Sequence, residues 1–301
     1  MSEKWDEKVI ELAKSLINCQ SYSGHEDKAA EALKAYMKET GVFDEIKTDC
    51  YGNVIGHIKG KNPGSKVLFD GHIDTVPVGN LKDWKHDPFH AVVEDGKLYG
   101  RGAADMKGAV AAFTVAAHRY AVENGKNFAG DVYVAGVVHE ECFEGVAARK
   151  ISAKVKPDYV VIGEASEMNL KVGQRGRAEI VVETFGVPAH SANPERGVNA
   201  VYKMCEAIQA IREIEPPVQD KLGKGILELT DVKSSPYPGA SVVPEYCRAT
   251  YDRRLLVGET KESVLQPIIE KMEELKKKDP QFSYKVSYAV GKEECYTGEK
   301  I

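Results

Sequence analysis

Apolar positions in the first half of the chain follow two different spacings. Between residues 5 and 17, apolar side chains recur every three or four positions, which predicts an amphipathic helix. Residues 131–138 and 158–162 are short, nearly continuous apolar runs, which are typical of strands buried on both faces. The same patterns predict further helices at residues 26–38 and 107–120 and further strands at residues 53–58 and 66–69. Because strands and helices alternate, we expect an α/β fold with a mostly parallel sheet and helices on both faces.

The pattern changes near residue 176. Residues 177–185 alternate as in a half-exposed strand, and residues 197–214 carry a helical apolar stripe. The elements predicted after these are strands at 225–232 and 241–255, a helix at 261–278 and a strand at 282–290. This order, βαββαβ, is the ferredoxin-like split motif.

The chain is therefore predicted to contain two domains. We expect an α/β domain over residues 1–176, with residues 291–301 as the start of a return to it. A smaller ferredoxin-like domain is expected over residues 177–290. A length of 301 residues also favours two domains over one.

Composition narrows the class of protein. The chain is 43% hydrophobic and 29% charged, as in ordinary globular proteins. A net charge of −5 gives no electrostatic reason to expect a nucleic-acid partner. We find no apolar stretch of membrane-spanning length, and residues 1–17 lack the apolar core of a signal peptide. Six cysteines without CxxC spacing are typical of reduced thiols, so we expect a cytoplasmic protein without a membrane partner.

Acids and one histidine follow the predicted strands of the first domain. His72 ends an apolar run, Glu141 and Glu164 follow the next two strands, and Asp105 lies on a glycine-rich loop. In open α/β sheets, ligands bind just beyond the carboxyl ends of the strands. A set of one nitrogen and three oxygen donors suits zinc or another divalent first-row metal. The spacing therefore predicts a metal site at this edge of the sheet.

Two further acids accompany the expected ligands. Asp74 follows His72 at strand spacing, which returns it to the same face, where it could orient the imidazole. Glu140 precedes Glu141 at a strand end, so that one of the pair can bind metal while the other moves protons. Asp105 is the candidate bridge between two ions. Taken singly, a Glu-Glu pair is more typical of solvated charges, and only the joint position of these groups favours the metal site.

Three segments of the first domain resemble a known family. They are residues 68–77, residues 84–89 and residues 95–108, which contain Asp-Gly-His-Ile-Asp, Asp-Pro-Phe and Gly-Arg-Gly-Ala-Ala-Asp-Met-Lys-Gly. They are similar to the dinuclear zinc metallopeptidases, which include acetylornithine deacetylase, succinyl-diaminopimelate desuccinylase, aminoacylase and carboxypeptidase G. Within that family, the chain looks closest to a subgroup of hydrolases linked to selenium metabolism.

The resemblance implies a catalytic first domain with two divalent metal ions, zinc above all, with cobalt and manganese also acceptable. The metal ligands that it implies are His72, Asp105, Glu141 and Glu164, with Glu140 as general base and Asp74 as supporting acid. It also implies that residues 177–290 form a lid through which the chain forms a homodimer.

Two lid residues are implied to contact the substrate. His190 matches a histidine that stabilises the oxyanion, usually in the partner's site, and Arg254 matches an arginine that binds a substrate carboxylate. From the residues alone, a loop histidine and a strand-end arginine are more typical of surface positions, and Arg253 is a competitor for the second role.

The chain departs from the family pattern at three points. Ser241 stands where the family often has Asn, and His139 stands where an acid is more usual. The last histidine of the chain is His190, whereas the family's last metal ligand is a histidine in a later segment. We therefore expect a shortened chain with an incomplete second metal site and an open sheet edge or exposed apolar surface.

These patterns predict a zinc-dependent amidohydrolase of the deacylase, dipeptidase or carboxypeptidase type. It would cleave the amide bond of a small N-acylated amino acid or peptide with metal-activated water. The alternative is a truncated or degenerate member that binds ligand or dimerises without catalysis, which the missing histidine favours. A phosphate-binding loop at residues 100–102 is set aside, because this segment lacks the Gly-Lys-Ser/Thr sequence of a P-loop.

Overall fold

A computed structural model of the protein describes residues 2–289, with side chains from residue 4 onward. Its helices are α1 (Ser2–Ile17), α2 (Asp27–Thr40), α3 (Lys107–Asn124), α4 (Glu140–Phe143), α5 (Val146–Val155), α6 (Ala200–Arg212) and α7 (Lys261–Lys278). Its strands are β1 (Glu45–Thr48), β2 (Val54–Lys59), β3 (Asn62–His72), β4 (Val92–Glu94), β5 (Lys97–Tyr99), β6 (Ala129–Val137), β7 (Tyr159–Ile162), β8 (Gly176–Phe185), β9 (Val218–Gln219), β10 (Gly223–Lys224), β11 (Ile226–Ser235), β12 (Tyr246–Leu255) and β13 (Ser283–Tyr288).

The described residues form two compact units. The first ends at Leu170 and the second begins at Lys171, a few residues before the boundary expected from the sequence. The expected return at residues 291–301 lies outside the described part of the chain. None of the helices between residues 2 and 289 has the length and apolar content needed to cross a lipid bilayer.

The first unit has a five-stranded sheet in the order β1-β2-β6-β3-β7. β3 pairs in parallel with β6 and with β7, whereas β1 with β2 and β2 with β6 are antiparallel. Parallel neighbours require long crossovers, and here α3 lies between β3 and β6 in the chain and α5 between β6 and β7. The predicted α/β class is confirmed, and the parallel strands are those that precede the candidate metal ligands.

Two glycines of this sheet allow close approach of helices. A Cβ atom at Gly136 would lie 2.5 Å from the Leu33 side chain of α2, and one at Gly71 would lie 2.7 Å from Met106, next to α3. Protein interiors leave no room for such an extra atom without a shift of the neighbours. The helices can therefore pack directly against the strands that lead to residues 72 and 138.

The exposure of β7 differs from the prediction. Its apolar run indicated a strand buried on both faces, yet Tyr159, Val160, Val161 and Ile162 are between 47% and 63% exposed. Within residues 2–289, β7 pairs with β3 on one side, and the other edge of β7 is open. The prediction of burial is wrong for this strand, whereas β6, which lies between β2 and β3, is buried over Val134–Val137.

The second unit has an antiparallel sheet in the order β11-β12-β8-β13. Helices α6 and α7 pack on it around a second core, and the element order is the predicted βαββαβ. Two boundaries differ from the prediction. The Asn199 side chain accepts hydrogen bonds from the Val201 and Tyr202 N–H groups, so α6 begins at Ala200. The strand expected from residue 241 begins at Tyr246, just after Pro244, which lacks an N–H group for the ladder.

A core substitution tests the packing of α2. Leu33 is fully buried, so Leu33→Ala removes buried methyl groups and leaves a cavity. We expect a loss of about 3 kcal/mol in the free energy of unfolding. Urea denaturation followed by circular dichroism measures it, with exposed Lys28→Ala on the same helix as the control. Equal stability of the two variants would contradict the described packing.

Candidate metal centre

His72 ends β3 and has a fixed orientation. The side chain is buried, and Nδ1 donates a hydrogen bond to the backbone carbonyl of Asp74 at 2.9 Å. Nε2 therefore faces the opposite way, 2.9 Å from Asp105 Oδ1 and 3.6 Å from Glu164 Oε1. A backbone carbonyl on one ring nitrogen fixes the other nitrogen as the ligand atom in many metal sites.

Two overlapping groups of possible metal ligands meet at this imidazole. One consists of His72, Glu140 and Glu164, and the other of His72, Asp105 and Glu141. Within each group the ligand atoms lie within 4.8 Å of one another. The donors are one imidazole nitrogen and carboxylate oxygens, which fit zinc, cobalt or manganese. The structure thus brings together all four residues that the resemblance implied as metal ligands.

The titration behaviour of the cluster reflects crowded negative charge. Burial by itself lowers the pKa of His72, but hydrogen bonds to Asp105 and Asp74 and the nearby negative charges raise that pKa to about 11. Burial raises the pKa of Glu140 to about 7. The charges of Glu164 and Asp74 also raise this pKa, whereas the charge of His72 lowers it. Burial also raises the pKa of Glu141 and of Glu164. A bound divalent cation would offset this charge.

Asp74 fixes the backbone that carries two of the acids. The carboxylate is fully buried and accepts a hydrogen bond from Ser23 Oγ at 2.6 Å. Its two oxygens also accept the backbone N–H groups of Glu140 and Glu141, both at 3.1 Å. Burial raises the pKa of Asp74, but His72 and these hydrogen bonds outweigh it and keep the carboxyl ionised. Asp74 thus contacts both the histidine and the turn opposite it.

Glu140 and Glu141 do not lie on a strand end, as the sequence analysis expected. They form the first turn of the short helix α4, after His139, which has a left-handed φ of 60°. The expectation was wrong because the four residues of α4 are too few to show a periodicity. As a result both carboxylates approach His72, each in one of the two groups.

Lys107 was missed by the sequence analysis, although it stands two residues after Asp105. The side chain is buried, and Nζ donates to the backbone carbonyls of Leu16 at 2.9 Å and Cys19 at 2.8 Å. Burial lowers its pKa to about 8. These hydrogen bonds join the loop that carries Asp105 to the end of α1. The peptide bond between Asp105 and Met106 in this loop is cis. Both contacts span about ninety residues of chain, so local spacing gave no sign of them.

The two expected substrate contacts lie in the second unit. His190 is exposed, and its Nδ1 accepts the Ala192 N–H at 3.1 Å, so the neutral ring carries its proton on Nε2. Arg254 is exposed, with Nε 2.7 Å from Asp252. Arg253 is buried and pairs with Glu259, so its guanidinium is engaged inside the unit. Of the two arginines, Arg254 is the one with an exposed head group.

Comparison with known proteins shows to which family the chain is similar. The sequence pattern described as Peptidase family M20/M25/M40 matches residues 68–236, more than half of the chain. The protein YgeY of Escherichia coli (strain K12) is 34% identical over 264 residues, 86% of this chain and 64% of YgeY. The succinyl-diaminopimelate desuccinylase of Marinobacter nauticus is 31% identical over 272 residues, 87% of this chain and 71% of that enzyme.

A solved structure shares the fold. The YXEP protein of Bacillus subtilis, described as a dinuclear metal-binding peptidase from the M20 family, superimposes with a TM-score of 0.62 at 14% identity. The match covers 95% of this chain and 74% of YXEP. The chain spans 54% to 64% of the length of the first curated relatives that it matches.

Removal of one carboxylate tests the ligand cluster. Asp105→Ala deletes the oxygen that lies 2.9 Å from His72 Nε2, and we expect the affinity for Co²⁺ to fall at least about 10-fold. Calorimetric titration of the metal-free protein with cobalt chloride measures this affinity. The control is Asp6→Ala, which removes an exposed acid on α1. The same Co²⁺ affinity in both variants would contradict a metal centre at this cluster.

Proposed function

Because the chain belongs to Peptidase family M20/M25/M40, we propose that it is a metal-dependent hydrolase of amide bonds. Its substrate is a small N-acylated amino acid or a short peptide. The observation that carries the proposal is that two groups of possible metal ligands, each with two carboxylates, share the imidazole of His72.

The relatives support this proposed substrate class. A desuccinylase removes a succinyl group held by an amide, and a peptidase cleaves a peptide bond, which is also an amide. Both are hydrolyses at a carbonyl carbon attached to nitrogen. These relatives favour the hydrolase over the non-catalytic alternative.

We propose that His72, Asp105, Glu141 and Glu164 would hold two divalent ions, and that Asp105 would be the carboxylate shared by both. The donor set supports zinc, and cobalt and manganese fit the same oxygens and nitrogen. When bound, the ions polarise the substrate carbonyl and lower the pKa of water at the site. A second ion would be held more weakly, because the described residues of the cluster include a single histidine for both groups.

Glu140 is the proposed general base. Its carboxylate lies 4.0 Å from His72 Nε2 and is partly exposed, so a substrate or water can reach it. It accepts a proton from the attacking water and delivers it to the leaving amine nitrogen. Asp74 keeps this side chain in place through the Glu140 N–H group. In this proposal, His190 donates Nε2–H to the developing oxyanion, and Arg254 pairs with a carboxylate of the substrate.

We also propose that the chain forms a homodimer through its second unit. β11 is an edge strand of ten residues, and in the described part of the chain its paired strand is β12. An open edge of this length offers unpaired N–H and C=O groups to a second copy. The proposed cytoplasmic location is supported by Cys247, which is a buried free thiol.

The role of Glu140 predicts a separation of activity from metal content. We expect Glu140→Ala to reduce turnover at least about 100-fold, because it removes the proton carrier, while zinc content stays near that of the parent protein. A panel of N-acetyl and N-succinyl amino acids and dipeptides, assayed with added zinc, cobalt or manganese, measures turnover. Glu7→Ala, an exposed acid on α1, is the control. Joint loss of zinc and activity would make Glu140 a ligand instead of the base.

The dimer predicts a mass of twice 33.1 kDa in sedimentation equilibrium. Val232→Asp adds a charge to the exposed side of β11 and should shift the equilibrium toward the monomer. Val257→Asp, at an exposed position outside the sheet, should not. A parent protein that sediments with a mass of 33.1 kDa would refute the dimer.

A further inference from the structure

Two buried carboxylates accept hydrogen bonds from three consecutive backbone N–H groups, at His139 and at the first two residues of α4. The N–H of His139 donates to Glu26 Oε1 at 3.0 Å, and those of Glu140 and Glu141 donate to Asp74 at 3.1 Å. We propose that Glu26 is a positioning residue of the metal centre. It fixes the backbone at His139 and thereby the placement of the two acids that follow.

The orientation of Glu26 is not explained by its own helix. Glu26 occupies the N-cap position of α2, where short polar side chains such as Ser or Asp commonly cap the helix, and its own side chain forms no capping hydrogen bond. Oε1 instead accepts the N–H groups of Gly24 and of His139, each at 3.0 Å. The residue is 6% exposed, and His139 lies 113 residues away in the chain. The buried carboxylate of Glu26 thus contacts the backbone of the residue that precedes the two acids of the metal centre.

The turn has two features that require such a partner. His139 has a φ of 60°, which residues other than glycine adopt infrequently and which persists where surrounding contacts fix it. The first N–H groups of a helix have no acceptor within that helix, and α4 has four residues. Glu26 and Asp74 supply the missing acceptors at residues 139, 140 and 141.

The contact runs through the backbone of His139 and not through its imidazole. Nδ1 of His139 lies 3.7 Å from Glu26 Oε1, and this buried atom makes no hydrogen bond within the described residues. The acceptor atom of Glu26, and its distance from the N–H group, should therefore matter more than its charge. This distinction separates Glu26 from an ordinary buried ion pair.

Two conservative substitutions of Glu26 are expected to have different effects on the metal centre. Glu26→Gln keeps an acceptor oxygen at the same reach and removes the charge, whereas Glu26→Asp keeps the charge and withdraws the acceptor by one methylene group. In the metal-free protein, we expect the amides of residues 139–141 to exchange hydrogen about 10-fold faster in Glu26→Asp and at nearly the parent rate in Glu26→Gln. We expect Co²⁺ affinity to fall about 10- to 100-fold in Glu26→Asp alone.

The control is Asp27→Ala, which removes the adjacent exposed acid at the start of the same helix. Circular dichroism establishes that each variant is folded at the temperature used. Loss of Co²⁺ affinity in Glu26→Gln with retention in Glu26→Asp would overturn the proposal, and so would equal behaviour of the two. The role deepens the proposed function and rests on it for its catalytic consequence. Hydrogen exchange in the metal-free protein tests the positioning itself, even if no hydrolysis is found.

Discussion

The constraint on which this structure depends is the concentration of carboxylates around one buried imidazole. His72 is held from behind by the carbonyl of Asp74 and faces Asp105 and Glu164 with its other nitrogen. Like charges at this spacing repel one another, so such a cluster needs protons, an imidazolium or a cation. The backbone N–H groups of Glu140 and Glu141 donate to the buried carboxylate of Asp74, and these hydrogen bonds hold the two acids beside the histidine. A divalent ion is the occupant that matches both its charge and its donor atoms.

The surrounding fold supplies this constraint from several elements. The parallel strands β3, β6 and β7 end at the cluster or just before it, and α3 begins just after Asp105. Lys107 joins this loop to the end of α1, while Asp74 joins β3 to α4. Because these contacts are buried, a shift of one element moves the others. The site is therefore a property of the whole first unit.

Part of this arrangement could be predicted from the sequence, for identifiable reasons. His72 is the last residue of one apolar strand and Glu164 closely follows another, and strand ends of a parallel sheet meet at one edge. The helical start at Glu140 could not be predicted, because it follows from a left-handed backbone at His139 and from acceptors distant in the chain. The apolar residues of β7 predicted a buried strand, yet this strand is exposed. The sequence alone does not show which elements lie next to it.

The most direct measurement of the central claim is a zinc anomalous difference map from crystals of the zinc-loaded protein. The account predicts a peak about 2.0–2.1 Å from Nε2 of His72, with carboxylate oxygens completing its coordination. A map with zinc bound elsewhere, or with no peak beside this imidazole, would contradict it.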